Sequence, residues 1–143
     1  MILVDVNLLV AATMTSATDH EPARSWLEDQ LSGTARVGLP WLCLTGFVRV
    51  AAQARAWERP MPVLDAVAVV RSWLSRPCAW IPEPGPRHLD ALSALLATQP
   101  SSRVVTDAAI AAIALEHGLE VCSRDRDFAR WSDLGLKSRD PLV

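Results

Sequence analysis

Short apolar runs rich in β-branched residues alternate along the chain with longer stretches whose apolar residues recur at helical spacing. The first run, Ile2 to Val4, has the character of a buried strand, and further short strands are predicted at residues 37–39, 78–81 and 120–122. Buried strands are continuously apolar, whereas core-facing helices repeat apolar residues at i, i+3, i+4 and i+7. The alternation predicts a three-layer α/β/α fold with a mostly parallel central sheet.

Helical spacing and helix-stop residues predict where the helices lie. They are expected at residues 7–14, from Asp19 to Gly33, at 41–56, after the Pro60-Met-Pro62 break to residue 74, at 86–97, from the polar turn at 99–102 to His117, and at 125–131. A last strand is predicted at residues 134–136. Trp26, Trp73 and Trp131 match helical apolar stripes and are expected in the core.

Length and composition limit the class of protein. A chain of 143 residues with half of them apolar is expected to form one domain, residues 1–143. A net charge of -2 excludes a globally basic nucleic-acid binder. Three widely spaced cysteines argue against disulfides or a zinc site, so they are expected in the core of a cytoplasmic protein. No apolar stretch is long enough for a membrane span.

Three acidic residues lie at the ends of predicted strands or at the start of a predicted helix. Asp5 ends the first predicted strand, Asp107 lies at or near the start of the Ala-rich helix, and Asp125 directly follows the strand at 120–122. We expect all three at strand-to-helix turns. Since the carboxyl ends of parallel strands meet at one edge of a sheet, which is the usual ligand site, the three carboxylates could converge there.

Each acid alone could be a helix cap worth about 1 kcal/mol. Two carboxylates about 5 Å apart, however, repel by roughly 3 kcal/mol at an effective dielectric of 20. A cluster of acids therefore needs a cation, and Mg²⁺ or Mn²⁺ fits carboxylate and water ligands. Such an ion supports phosphodiester hydrolysis by activating water and stabilising the leaving oxygen.

Four segments carry a resemblance to a known family. VDVNLL, VTDAAIAAIALEHG and CSRDRDFARW resemble the acidic motifs of PIN-domain ribonucleases, specifically VapC-like toxins of type II toxin-antitoxin systems, and LPWLCLTGFVRVAA resembles one subgroup of them. The resemblance spans nearly the whole chain. It implies a PIN-like fold, a Mg²⁺-dependent endoribonuclease, a cognate VapB-like antitoxin and a homodimer.

The resemblance also implies site residues. Asp5, Asp107 and Asp125 match the family's first, third and fourth acids, with Asp5 and Asp107 as metal ligands. Where most of these toxins carry a glutamate after the second strand, this sequence has Gly46.

Other residues could complete the site. Asp127 could supply a further catalytic carboxylate, and Glu58, beyond the helix, is a weaker candidate. Arg49, at i+3 from Gly46, could contact the scissile phosphate. Arg124 and Arg126, which flank Asp125, could add phosphate contacts.

Two alternatives stay open from the sequence. A haloacid-dehalogenase-like phosphatase would use Asp5 as a nucleophile, but the acid expected two residues later is Asn7, and the only lysine is Lys137. A degenerate PIN module would bind RNA or a protein without catalysis, and Gly46 keeps that interpretation open.

Overall fold

The computed structural model describes residues 1–143 and contains one five-stranded sheet. Its strands are β1 (Ile2–Val4), β2 (Val37–Gly38), β3 (Ala79–Trp80), β4 (Glu120–Cys122) and β5 (Lys137–Arg139). Their order is β3-β2-β1-β4-β5, and every neighbouring pair is parallel. The parallel sheet is thus confirmed, with β1 at its centre and the proline-flanked β3 at an edge.

Six α-helices surround the sheet. They are α1 (Val6–Thr13), α2 (His20–Ser32), α3 (Trp41–Ala51), α4 (Val63–Leu74), α5 (His88–Thr98) and α6 (Val105–His117). A short 3₁₀ helix covers Ser102–Val104, and a longer one, the C-terminal 3₁₀ helix, covers Arg126–Leu134. α1 packs on α2 and α3, α3 on α4, and α5 on α6. This is the predicted three-layer α/β/α fold. None of the helices combines the length and apolar character that a membrane crossing requires.

One continuous hydrophobic core holds the layers together. It contains 35 buried residues, among them Val4 and Val121 at the sheet centre. Trp131 is completely buried and Trp73 nearly so, as expected, whereas Trp26 is only half-buried. The three cysteines are buried and unpaired, which confirms that they are core residues.

The third helix is shorter than its pattern predicts. The expected helix extends to about residue 56, but α3 ends at Ala51. The Trp57 indole N–H donates to the Val50 carbonyl at 2.8 Å, and the Met61 N–H donates to Ala51 at 2.9 Å. Tertiary donors thus satisfy carbonyls that a longer helix would have used.

Two predictions near the C-terminal half are wrong. The last strand is Lys137–Arg139 rather than residues 134–136, because Leu134 belongs to the C-terminal 3₁₀ helix and Gly135, at φ 90°, ends it in a left-handed turn. Asp107 does not follow a strand. The chain reaches it from α5 through the short 3₁₀ helix, so only Asp5 and Asp125 lie directly after strands.

Candidate active site

Asp5 lies at the carboxyl end of β1, where the chain turns into α1. Its backbone N–H donates to the Cys122 carbonyl at 3.0 Å, so pairing with β4 continues to this residue. Its Oδ1 accepts the Val6 N–H at 2.7 Å and caps α1. The carboxylate therefore does serve as a helix cap, but with one of its two oxygens only.

The second oxygen of Asp5 belongs to a polar network that joins the first and last strand-to-helix turns. Oδ2 accepts the Ser123 hydroxyl at 2.7 Å and the Asn7 side-chain amide at 3.1 Å. The side-chain Oδ1 of Asn7 accepts the backbone N–H of Arg124, and the Ser123 hydroxyl oxygen accepts the backbone N–H of Asp125. These donors make it possible to bury a carboxylate that is only 6% exposed.

Burial nevertheless governs the ionisation of Asp5. Loss of solvent raises the pKa of its carboxyl, and the nearby negative charge of Asp125 raises it further. The hydrogen bonds from Ser123 and Val6 act in the opposite direction and lower the pKa, but they do not cancel the burial effect. The folded chain thus holds this carboxylate at an energetic cost that a bound cation would relieve.

Asp107 lies in the first turn of α6 and faces the same region. Partial burial raises its pKa, and the charges of Asp5, Asp125 and Asp127 add to the effect, while Arg130 lowers it. No hydrogen bond contributes to this balance. Asp107 therefore presents a carboxylate that has no hydrogen-bond or ion-pair partner and lies close to other acids.

One pocket brings these side chains together. It has a volume of about 460 Å³ and lies at the carboxyl edge of the sheet. Its polar lining residues are Asp5, Asn7, Arg49, Thr106, Asp107 and Asp125. The structure therefore collects three of the four predicted acids and the predicted arginine around one space. Thr106 was not indicated by the sequence, since an exposed threonine at a helix start is also an ordinary surface residue.

The pocket suits a hard cation, although the acids are not arranged as a complete metal site. No three acidic, histidine or cysteine side chains are close enough to enclose an ion by themselves. Mg²⁺, however, commonly uses one or two carboxylates and retains several waters. The carboxylate oxygens of Asp5 and Asp107 fit such an ion as ligands, and so do the burial and the neighbouring negative charges that raise the pKa of Asp107.

Asp107→Asn is expected to raise the Tm of the metal-free protein at neutral pH. The folded state raises the pKa of this carboxyl, so its ionised form destabilises the fold above that pKa. Below the ordinary value of 3.8 the group is protonated in both folded and unfolded states, and the gain should disappear. Thermal unfolding with EDTA from neutral to acid pH measures this, with Asp29→Asn on the exposed side of α2 as the control. A difference in Tm between Asp107→Asn and the parent protein that persists at acid pH would contradict the view that the charge of Asp107 destabilises the fold.

Asp127 does not line the pocket. The Asp125 Oδ1 caps the C-terminal 3₁₀ helix by accepting the Asp127 N–H at 2.8 Å. The Asp127 side chain is 69% exposed and pairs with Arg130 at 2.7 Å. The only sequence signal for Arg130 is its i+3 spacing from Asp127, which alone does not distinguish it from a surface ion pair.

Of the arginines named from the sequence, Arg49 is the one placed at the pocket. It lies on α3, is exposed and lines the pocket wall. Arg124 is instead engaged by Asp19 at 2.7 Å and by Asp140 at 3.1 Å. Its charge is neutralised by these acids, so Arg124 is a poor candidate for phosphate binding.

Gly46 allows α1 and α3 to approach closely beside the pocket. A Cβ atom at this position would lie 2.8 Å from Cγ2 of Val6, which itself lines the pocket. Valine is stiff at χ1 and cannot easily move aside. A glutamate at position 46, the residue expected there from the resemblance, would therefore have to displace Val6.

Gly46→Ala is expected to destabilise the protein by about 1 kcal/mol. Overpacking costs roughly 1–3 kcal/mol, and the better helix propensity of alanine returns about 0.5–1 kcal/mol. In a Val6→Ala background the clash is absent, so the same Gly46→Ala change should stabilise. Urea denaturation of the four proteins measures this reversal of sign. Equal effects of Gly46→Ala in both backgrounds would rule out the Val6 contact as the cause.

Comparisons with known proteins agree with this geometry. A profile of the PIN domain family matches residues 2–134. Ribonuclease VapC33 of Mycobacterium tuberculosis is 43% identical over 143 residues, 99% of each chain. Ribonuclease VapC37 of the same species is 39% identical over 132 residues, 92% of each chain. The crystal structure of FitAcB from Neisseria gonorrhoeae superimposes with a TM-score of 0.62 at 18% identity, covering 99% of this chain and 98% of that one, which shows a shared fold.

These matches decide between the families considered from the sequence. The haloacid-dehalogenase-like alternative is wrong, because the PIN profile covers nearly the whole chain, from β1 to the C-terminal 3₁₀ helix. The resemblance of the acidic motifs to VapC-like proteins is confirmed by full-length relatives. The chain therefore belongs to the PIN domain family, as a relative of the VapC ribonucleases.

Proposed function

We propose that the protein is a Mg²⁺-dependent endoribonuclease, a single cytoplasmic domain that acts as the toxin of a VapBC-type pair. One observation carries this proposal: Asp5, Asp107 and Asp125, brought from three separate segments, line one pocket, where burial and the charges of the other two acids raise the pKa of Asp107. Relatives that match the chain end to end bear the name ribonuclease.

Each residue has a defined task in this proposal. Asp5 and Asp107 hold the ion, and Asn7 and Ser123 orient the Asp5 carboxylate through their hydrogen bonds. A bound Mg²⁺ or Mn²⁺ supplies Lewis-acid stabilisation of phosphate charge and activation of water. Asp125 keeps Oδ2 free to position the attacking water, since its Oδ1 caps a helix.

Arg49 completes the proposed site on the substrate side. Its guanidinium lies on the pocket wall and has no acidic partner among the ion pairs of the structure. A free guanidinium can bind a phosphate through two parallel N–H groups. We therefore assign the scissile phosphate to the space between Arg49 and the acids.

An RNA cleavage assay tests the function. Full-length protein is incubated with a panel of structured RNAs, with Mg²⁺, with Mn²⁺ or with EDTA, and the products are resolved on denaturing gels. We expect internal cuts only when the metal is present. No metal-dependent cleavage of any RNA would instead favour the degenerate, non-catalytic module that Gly46 kept open.

The proposed antitoxin has a docking surface beside the active site. An apolar groove of about 470 Å³ runs between α3 and α4, lined mainly by Trp41, Val63, Val67 and other apolar side chains. Arg49 lines both the groove and the acidic pocket. An amphipathic helix could fill the groove while a basic residue beyond it reaches the carboxylates. We propose the antitoxin as this occupant.

Val67→Glu is expected to weaken antitoxin binding at least about tenfold, because a charge would be buried in the apolar contact. RNA cleavage by the free protein should be unchanged, since Val67 does not line the acidic pocket. Calorimetric titration with the purified cognate antitoxin measures this, with Leu89→Glu on α5, an exposed apolar position outside the groove, as the control. Equal losses in the two variants would refute the docking assignment, and light scattering of the free protein reports the expected homodimer.

A further inference from the structure

Three contacts hold Arg130 in place on the C-terminal 3₁₀ helix, whose cap residue Asp125 lines the candidate active site. The Arg130 Nε donates to the Asp127 carbonyl at 2.7 Å, its Nη2 pairs with Asp127 Oδ2 at 2.7 Å, and its Nη1 donates to Gln99 Oε1 at 2.8 Å. The guanidinium also lies 5.2 Å from the centre of the Trp131 ring. Two of the five N–H groups that an arginine carries remain without a partner.

The support beneath Arg130 is rigid. Trp131 is fully buried, and its indole N–H donates to the Leu95 carbonyl and to the Thr98 hydroxyl at the end of α5. Gln99, which directly follows α5, accepts the hydrogen bond from Arg130. The guanidinium is thus fixed by two separate elements.

These contacts differ from those of an ordinary surface ion pair. In such a pair both side chains are mobile and solvated, and the pair contributes about 0–1 kcal/mol. Here the Arg130 side chain is only 21% exposed, whereas its partner Asp127 is 69% exposed. Asp127 is thus the solvent-accessible partner, whereas the position of Arg130 is determined by its contacts with the protein.

Arg130 is connected to the acidic pocket through the C-terminal 3₁₀ helix. Asp125, which lines the pocket, accepts the Asp127 N–H, and Asp127 in turn binds Arg130. The guanidinium is therefore separated from a pocket-lining residue by one backbone hydrogen bond and one ion pair, and it lies on a different element from Arg49.

A polyanionic substrate needs cations beside the acidic pocket. The pocket acids repel phosphate, the whole chain has a net charge of -2, and Arg124 is neutralised by two acids. Arg49 on α3 is one available cation, and Arg130, which is paired with one acid only and retains two N–H groups, is a second. Phosphate contacts of this kind position a nucleic acid without reading its sequence.

We propose that Arg130 binds an RNA backbone phosphate next to the one that is cleaved, and that Asp127 and Gln99 are positioning residues that hold its guanidinium for this contact. The inference rests on the proposed nuclease function and gives Asp127 a role other than that of the further catalytic carboxylate predicted from the sequence. The RNA backbone then crosses the pocket between Arg49 and Arg130.

RNA binding without cleavage is the first test. In an Asp107→Asn background with EDTA, anisotropy of a fluorescein-labelled single-stranded RNA dodecamer is measured over a series of NaCl concentrations. Arg130→Gln is expected to weaken binding about fivefold or more and to reduce the slope of log K against log salt by about 0.7, the value for one phosphate contact on a single strand. Arg130→Lys should retain most of that slope because it retains the charge.

Arg76→Gln is the matched control. Arg76 is exposed and directly precedes β3, so it lies at the amino edge of the sheet, opposite the pocket. Its removal should leave both affinity and salt slope within about twofold of the parent. Equal behaviour of Arg130→Gln and Arg76→Gln would overturn the inference, because a purely structural role for Arg130 would not change the salt slope.

Cleavage kinetics in the otherwise native chain distinguish two possible roles of Asp127, namely positioning Arg130 and binding the metal. If it acts through Arg130, Asp127→Asn and Arg130→Gln should each raise KM more than they lower kcat, and the double variant should lose little more than either alone. If it is a metal ligand, Asp127→Asn should shift the Mn²⁺ concentration needed for activity and the losses should add, which would refute the inference. Asp127→Asn leaves the core untouched, so it carries the test even where thermal unfolding shows Arg130→Gln to be unstable.

Failure of this inference is distinguishable from failure of the proposed function. A native chain that cuts no RNA with any metal contradicts the nuclease assignment itself. A native chain that cuts RNA, with unchanged KM and salt slope in Arg130→Gln, contradicts only the role of Arg130.

Discussion

Asp5→Asn is expected to reduce metal-dependent RNA cleavage about 100-fold or more, because a bound ion contributes several kcal/mol of transition-state stabilisation and each 1.36 kcal/mol is tenfold in rate. Asparagine has nearly the same shape and keeps an oxygen to accept the Val6 N–H, so the cap of α1 survives. The loss would thus follow from the missing charge together with the hydrogen bonds of Ser123 and Asn7 to Oδ2, which an amide nitrogen cannot accept. Single-turnover cleavage at saturating Mg²⁺ measures it.

The control for this result removes an acid outside the pocket. Asp29 is exposed near the end of α2, which leads to the start of β2 at the amino edge of the sheet. Asp29→Asn should cleave RNA at the native rate, and Asp107→Asn should be as impaired as Asp5→Asn. If Asp5→Asn cleaved RNA at the native rate, the proposal that the Asp5 carboxylate holds the catalytic metal ion would be contradicted.

Trp131→Ala is expected to lower the free energy of unfolding by about 3–5 kcal/mol, the usual cost of truncating a buried aromatic residue. Trp131 is completely buried, and its indole donates to the Leu95 carbonyl and the Thr98 hydroxyl. Without it, the C-terminal 3₁₀ helix loses its contact with α5, and with it the placement of Asp125. Urea denaturation measures the loss.

A second tryptophan provides the comparison. Trp41 is 51% exposed at the start of α3, so Trp41→Ala should cost no more than about 0.5 kcal/mol. A similar loss in both variants would mean that the burial of Trp131 does not determine its contribution. A stable Trp131→Ala protein would contradict the view that this residue anchors the site.

Much of the sheet was predictable because its central strands are buried on both faces. Ile2–Val4 and Glu120–Cys122 lie side by side in the middle of the sheet, and their buried residues, all of the first strand and Val121 and Cys122 of the second, are apolar as such burial requires. β5, in contrast, is an edge strand of Lys137, Ser138 and Arg139 with much of its surface exposed. An edge strand needs no apolar pattern, so its position depended on backbone pairing with β4.

The candidate site was predictable in part for a similar reason. Asp5 and Asp125 each follow a strand, and parallel strands bring their carboxyl ends to one edge. Asp107 reaches the same pocket from a junction between two helices, which no rule about strand ends could predict. The packing of α6 against β4 and α5 decides its position.

The sequence by itself determined the α/β class, the acids and the family, because these depend on residue type and on spacing along the chain. Only the tertiary structure decided which acids pair with which arginine. Arg124 and Arg130 both lie close to Asp125 in sequence, yet Arg124 is paired with two acids, Asp19 and Asp140, whereas Arg130 is paired with one acid, Asp127, and with the neutral Gln99. Such pairing depends on distances between segments remote in sequence, and those distances arise only when the chain packs.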